Sequence, residues 1–410
     1  MKRTAIATAT ALVLGLGTLP AQAQQTGAPL TPSGAACEFP TTTPPPSGDA
    51  KAFATYAWQM FIALSWTPKV GDRGVPDCAK PLGGSTAGTV WQTYKTADEI
   101  FLPNAQNPGP WNSSLTPILF KQTAKASTAV QKSALGSIMQ PVGGWLIDQR
   151  GNPTYYEVAA NRVSYDYIVA NGFYNANTVN AARNIAFPDW ATEVKASWRI
   201  LTAQDDKSRY LTLAATVETF DANGKPNGTK PATLGLVGLH IIVKAKGYPQ
   251  WIWSTFEQVD NVTPAPNGKA SYFDPNAKPG DVNQSPCKVG VLPCTPKPGK
   301  TFQTPDPLTR VTAIPSAVAA VSQQIQAQYG STFVKYYELV GTQHPADPSD
   351  PGNPLGTPTT NLLANVTLES YLQPTSSCMA CHSTAVSGPS RYKSDFSFLF
   401  IHAQAPKSGH

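Results

Sequence analysis

Apolar and polar positions alternate in a recognisable way through most of the chain. Phe53, Tyr56, Ala57, Met60, Phe61 and Leu64 recur at i, i+3, i+4 and i+7, which predicts a helix that starts near Ala52 and stops before Pro68. A weaker helical pattern covers 121–138. Period-2 patterning then takes over. Trp145–Asp148 and Thr154–Val158 flank Gln149–Pro153 as a hairpin would, and a short helix is expected from about Val163 to Ala170. In 192–201, Val194, Ala196, Trp198 and Ile200 alternate with Glu193, Lys195 and Arg199, the signature of a strand with one charged face. Tyr210–Phe220 and Thr233–Lys244 read as strands joined across Asp221-Ala-Asn-Gly-Lys225, and Gln250–Glu257 as another. After an excursion rich in Pro, Asn and Gly (262–308) come a helix at Ser316–Tyr329, a strand at Thr332–Val340 and a last helix at about Thr367–Leu372. The fold class expected is α+β: a mainly antiparallel sheet with covering helices and a C-terminal helical segment.

Both ends depart from this pattern. Lys2 and Arg3 precede an apolar run from Ala5 to about Pro20, and Ala21-Gln-Ala23 follows, so 1–23 is expected to be a Sec-type secretory signal cleaved after Ala23. No later stretch is apolar enough for a membrane span of about 20 residues. Residues 24–50 form a Pro/Thr-rich flexible leader, 51–343 the strand-rich main domain, 344–360 a linker and 361–410 a terminal segment. The formal charge of +6 includes Lys2 and Arg3 and is otherwise spread along the chain, which argues against a nucleic-acid partner.

The cysteines carry the chemistry. In an oxidising compartment Cys37 with Cys78, and Cys287 with Cys294, are expected as disulfides on local spacing, although four cysteines allow three pairings. Cys378-Met-Ala-Cys381-His382 differs because a histidine follows the pair. Two thiols at this spacing add to the two vinyl groups of one haem, and the adjacent imidazole becomes an axial iron ligand. A redox dithiol would normally follow a strand early in its fold, and a zinc site would need further ligands at similar spacing. The expectation is one covalent haem c per chain, bound by Cys378, Cys381 and His382, with His382 on the metal.

The sixth iron position has several candidates: Met60, Met139, His240, His344, His402 and His410, or none. Met60 and His240 also read as core residues, on the helix face and in an apolar strand. No Met follows His382, so 361–410 cannot be a complete small cytochrome c, and the main domain must help enclose the haem. Asp395–Phe400 reads either as macrocycle cover or as a terminal strand. Glu193, Lys195 and Arg199 read as an exposed ion-pair network ahead of an anion site, and Glu257, Asp260 and Asn261 as turn caps ahead of a cation or substrate site.

Phe61–Trp66, Glu193–Arg199, Gly238–Ile242, Trp251–Asn261 and Ser376–His382 together resemble the exported proteobacterial cytochrome c family proteins. The resemblance implies a single-haem periplasmic protein and carries over no catalytic residue. The expected function is single-electron transfer with a periplasmic redox partner. The alternatives are a haem-dependent oxidoreductase of peroxidase or oxidase type acting on a small-molecule substrate at an open iron, and a haem-based small-ligand module.

Overall fold

The computed structural model describes residues 36–41, 44–83, 88–113, 119–120, 144–264, 268–287, 296–387 and 392–407. The expected signal 1–23, the expected weak helix 121–138, Met139, Cys294 and His410 lie outside them. The described residues form one compact unit.

The helices are α1 (Ala50–Leu64), α2 (Ala97–Ile100), α3 (Arg162–Ala170), α4 (Ala176–Ala181), α5 (Ser316–Gln328) and α6 (Cys378–His382). The strands are β1 (Lys95–Thr96), β2 (Leu119–Phe120), β3 (Tyr155–Ala160), β4 (Thr192–Ile200), β5 (Thr212–Phe220), β6 (Pro226–Val243), β7 (Ile252–Gln258), β8 (Tyr337–Gln343), β9 (Val386–Ser387) and β10 (Tyr392–Lys393). This is the expected mixture of helices and a mainly antiparallel sheet; among the described residues only β2 runs parallel to its neighbouring strand, β5. The long β6 organises the eight-stranded sheet. β4 follows one edge of β6, while its other edge pairs first with β5 and then with β7, which passes to β8. Asp221 Oδ1 accepts from the Asn223 and Lys225 amides to close the β5–β6 turn, with Gly224 left-handed. α1 begins at Asp49, whose carboxylate caps the Ala52 amide, and packs with α5 against β8. A Cys37–Cys78 disulfide fastens the leader to the loop after α1. Cys287 is also disulfide-bonded.

Several elements differ from expectation. Trp145–Asp148 forms no strand beyond one bridge at Ile147, because Asp306 takes both the amide and the carbonyl of Ile147. Phe333–Tyr336 is a 3-10 turn, since the Thr332 hydroxyl caps Val334 and the strand starts only at Tyr337. Thr367–Leu372 is a run of turns rather than a helix: the Thr367 carbonyl accepts from the Tyr156 hydroxyl of β3, and the Thr367 amide donates to Asn365 Oδ1. Residues 344–360 form a loop with tied ends, through Ala346 N to Thr357 O at 2.7 Å and Thr359 N to His344 O at 2.9 Å.

The binding of residues 365–369 to the sheet sets the architecture. Asn365 Nδ2 donates to Thr255 Oγ1 and to the Phe256 carbonyl, each at 2.9 Å. The Val366 amide donates to Glu257 Oε1 at 2.8 Å. Thr367 Oγ1 lies 2.7 Å from Ser197 Oγ. This approach requires a glycine at 238, where a Cβ would stand 2.4 Å from Thr367 Oγ1 and 2.6 Å from Ser197 Oγ. Glu257 is fully buried and also receives both guanidinium nitrogens of Arg310, at 3.2 and 3.0 Å. Asp260 pairs with Arg209, and Asn261 donates to the Val237 carbonyl. These three residues are therefore internal braces, neither turn caps nor a cation site. Replacing Arg310 by Met leaves Glu257 buried without its guanidinium partner, and denaturant unfolding is expected to show a loss of about 3–5 kcal/mol. A loss below about 1 kcal/mol, the value typical of exposed pairs, would contradict this role.

Candidate functional site

A cavity of about 450 Å³ lies between the sheet and the C-terminal chain, within the range of cofactor sites. Its floor is one sheet face. Val158, Lys195 and His240 stand side by side on β3, β4 and β6, with Glu193, Ile242 and Trp253 in the next row. Its roof comes from 368–382 and 398–402.

The Cys378–His382 motif is itself the roof helix α6. Ser377 caps it by accepting from the Ala380 amide, and Gln343 Oε1 receives the Met379 amide at 2.7 Å. One helical turn brings Cys378, Cys381 and His382 onto neighbouring positions, and all three line the cavity. Cys381 and Ala380 are also exposed at the surface. Both cysteines are free thiols. Burial raises both thiols above their ordinary pKa, Cys378 far more, which is opposite to the lowering that activates a redox dithiol.

His382 is fixed on three sides. Its Nδ1 donates to the Phe396 carbonyl at 2.7 Å, and its ring packs 4.4 Å from Trp253 and 4.8 Å from Phe398 between centroids. Burial pushes its pKa down to about 4, so the ring is neutral with the Nε2 lone pair free. The Phe396 carbonyl is aimed by two consecutive left-handed residues, Asp395 (φ 55°) and Phe396 (φ 63°). Such backbone persists only where its surroundings impose it. Here the Asp395 carboxylate is tied to Lys244 and accepts from the Phe187 amide at 2.6 Å. Asp395–Phe400 is accordingly a turn entering the 3-10 segment Leu399–His402, not a strand, and Phe398 and Leu399 line the cavity.

The expected ligand candidates separate. His240 and His402 line the cavity with the motif. His240 Nε2 meets Glu369 Oε1 at 2.9 Å. His402 has a buried Nε2 without a partner, and burial lowers its pKa to about 4. Met60 is enclosed on the core face of α1, and His344 stacks on Phe53 at 3.6 Å; neither lines this cavity. Among the described residues no three His, Cys, Asp or Glu side chains gather as a protein-only metal centre.

The charged positions of β4 are not an exposed network. Arg199 is buried in pairs with Asp148 (3.3 Å) and Asp205 (3.0 Å), whereas Glu193 and Lys195 face the cavity. β4 has neighbours on both edges and cover on both faces, so its polar alternation marks a lined cavity instead of solvent. Sequence reasoning missed Glu369 altogether and misplaced Lys195; four residues after Asn365, Glu369 had no motif to mark it.

Glu193 is 4% exposed with Oε1 unpartnered, and burial, offset in part by a hydrogen bond from Ser397, raises its pKa from 4.5 to about 8. The folded chain thus keeps a proton that the unfolded chain releases above 4.5. Stability from this group is complete below pH 4.5 and is lost as pH rises through 8. Relative to Glu193→Gln, the wild type should lose stability across that window in urea unfolding; parallel pH profiles would exclude the shift.

No protein-family model, curated protein or solved structure matches the chain.

Proposed function

We propose that this is an exported c-type cytochrome whose single haem is attached through Cys378 and Cys381, with His382 as axial ligand, and that it transfers single electrons in the periplasm. The observation that carries the reading is the placement of the whole C-x-x-C-H turn on the wall of one cofactor-sized cavity, with the His382 imidazole neutral and oriented through Nδ1. An imidazole that donates its other nitrogen to a carbonyl is the usual second-shell arrangement of a metal-ligating histidine, and it raises ligand basicity. The cavity walls fit a flat, largely apolar group: Val158, Ile242, Trp253, Leu368, Leu372 and Phe398 surround the motif. When bound, haem supplies one-electron chemistry; the chain orients it, excludes water and sets its electrostatics. Exposure of Ala380 and Cys381 leaves the attachment edge open to contact with a redox partner. Export accords with the Cys37–Cys78 disulfide, and among the described residues no helix is long and apolar enough to cross a membrane.

A second reading, a haem-dependent oxidoreductase acting on a small molecule, is favoured by the Lys195, His240 and Glu369 cluster on the same cavity. A pure electron carrier has no need of paired acid and base groups there.

Full-length chain produced with export and haem-maturation capacity should give a haem-stained band on a denaturing gel, and replacement of both Cys378 and Cys381 by Ala should remove the stain. A colourless wild-type band would end the cofactor reading. Carbon monoxide added to the reduced protein separates the two functions: an unchanged low-spin spectrum supports the carrier, and a shifted one the oxidoreductase.

A further inference from the structure

Lys195 and His240 are direct cross-strand partners on β4 and β6, and both face the cavity that holds the cysteine motif. Their surroundings distinguish them. His240 Nε2 is held by Glu369 Oε1 at 2.9 Å, and Glu369 Oε2 accepts from the Asn365 amide at 2.9 Å. Both oxygens of this carboxylate are therefore engaged. Burial alone would raise the Glu369 pKa, but His240 and Lys195 overcome it and hold the carboxyl below its ordinary value, so the group is charged. Lys195 is different. Among the described residues its ammonium makes no ion pair or hydrogen bond, and it lies over the Tyr156 ring, 6.0 Å from the ring centre. Burial lowers its pKa, while Glu369, Cys381 and Cys378 act in the opposite direction.

An ammonium facing a largely apolar cavity without a partner is costly, and such groups are kept where a counter-ion arrives. The alternative is a lysine whose stem packs along the sheet and whose head reaches bulk water. The cross-strand position beneath Leu368–Leu372 and Ser377–Cys381 argues against that route. The cavity measures about 450 Å³, which sets a small upper size for any ligand that meets Lys195 beside the cysteine motif.

We propose that Lys195, together with the His240 imidazole positioned by Glu369, forms a binding site for a free small monovalent oxyanion, carboxylate or inorganic, beside the Cys378–His382 motif. This inference rests on the haem reading and supplies the substrate class of its oxidoreductase form. Lys195 contributes the charge and a hydrogen-bond donor. Glu369 fixes the ring of His240, so that the face turned to the anion does not reorganise on binding.

The test uses the haem-loaded full-length protein, with sodium formate and sodium nitrite as probes in calorimetric titrations and sodium chloride as the ionic-strength control. The wild type should bind at least one probe, and Lys195→Met should bind it about ten- to a hundredfold more weakly, the value of one charge-assisted hydrogen bond. Lys195→Arg should restore part of the affinity. Lys195→Met should melt no lower than the wild type, because it removes a charge without an ion-pair partner from the largely apolar cavity wall. Lys195→Gln serves as the second variant if Met does not fold. Wild-type protein that binds neither probe, or a Lys195→Met protein that binds as well as wild type, overturns the proposal and leaves Lys195 to the carboxylates of the haem itself. Haem staining of the same preparation keeps the two claims apart: colourless protein removes the cofactor reading, whereas stained protein without anion binding removes only this one.

Discussion

The seating of residues 365–369 on the sheet is the constraint on which the rest depends. Four of the five residues 365–369 bond to groups of β4, β6 and β7. Asn365 bonds to Thr255 and Phe256, the Val366 amide to Glu257, Thr367 to Ser197, and Glu369 to His240. A buried polar network of this kind stabilises only when every member is paired, and it then admits one register. Gly238 contributes by lacking a side chain: any Cβ there would separate the two layers. The sheet and the C-terminal chain are thereby locked at a fixed spacing, and the cavity is the gap between them.

That spacing explains how a five-residue helix can present its chemistry reliably. A single turn such as α6 has no stability of its own. Here Gln343, at the end of β8, receives the Met379 amide, Ser377 caps the turn, and the Met379 side chain is buried. On the far side, strain at Asp395 and Phe396 turns one carbonyl toward His382, and the Asp395–Lys244 pair maintains it. The imidazole is thus held by elements from the sheet, the roof and the terminal turn. Its orientation belongs to the whole fold and not to the motif.

Much of this was legible in the sequence, and the exceptions have physical causes. Strong periodicity marked α1, α3, β4, β5, β7 and α5, and the Asp221–Lys225 turn placed β5 against β6. The motif marked Cys378, Cys381 and His382 by spacing alone. Local pattern failed where a distant side chain competed for the backbone. Asp306 undid the strand at Ile147, and Glu257 and Tyr156 hold the Val366 amide and the Thr367 carbonyl in a turn where a helix is expected. It fails again on β4, where charge alternation points to an exposed face. Glu193 and Lys195 do alternate with apolar residues, but the polar face borders an internal cavity, and period 2 reports two unlike faces without saying which one meets water.

The size of the chain follows from the same geometry. His382 needs a second layer to make an enclosed site, and the terminal segment supplies only one wall. The sheet supplies the other, and with it come groups that a minimal haem fold has no reason to carry. Lys195, His240 and Glu369 lie on three separate elements and meet only because β4 pairs with β6 and the 365–369 turn is seated above them. Keeping an unpaired ammonium and a proton-bearing Glu193 inside this cavity works against stability. The buried network that seats the 365–369 turn brings these groups to the cysteine motif, so the fold gives up stability to line one cavity with them.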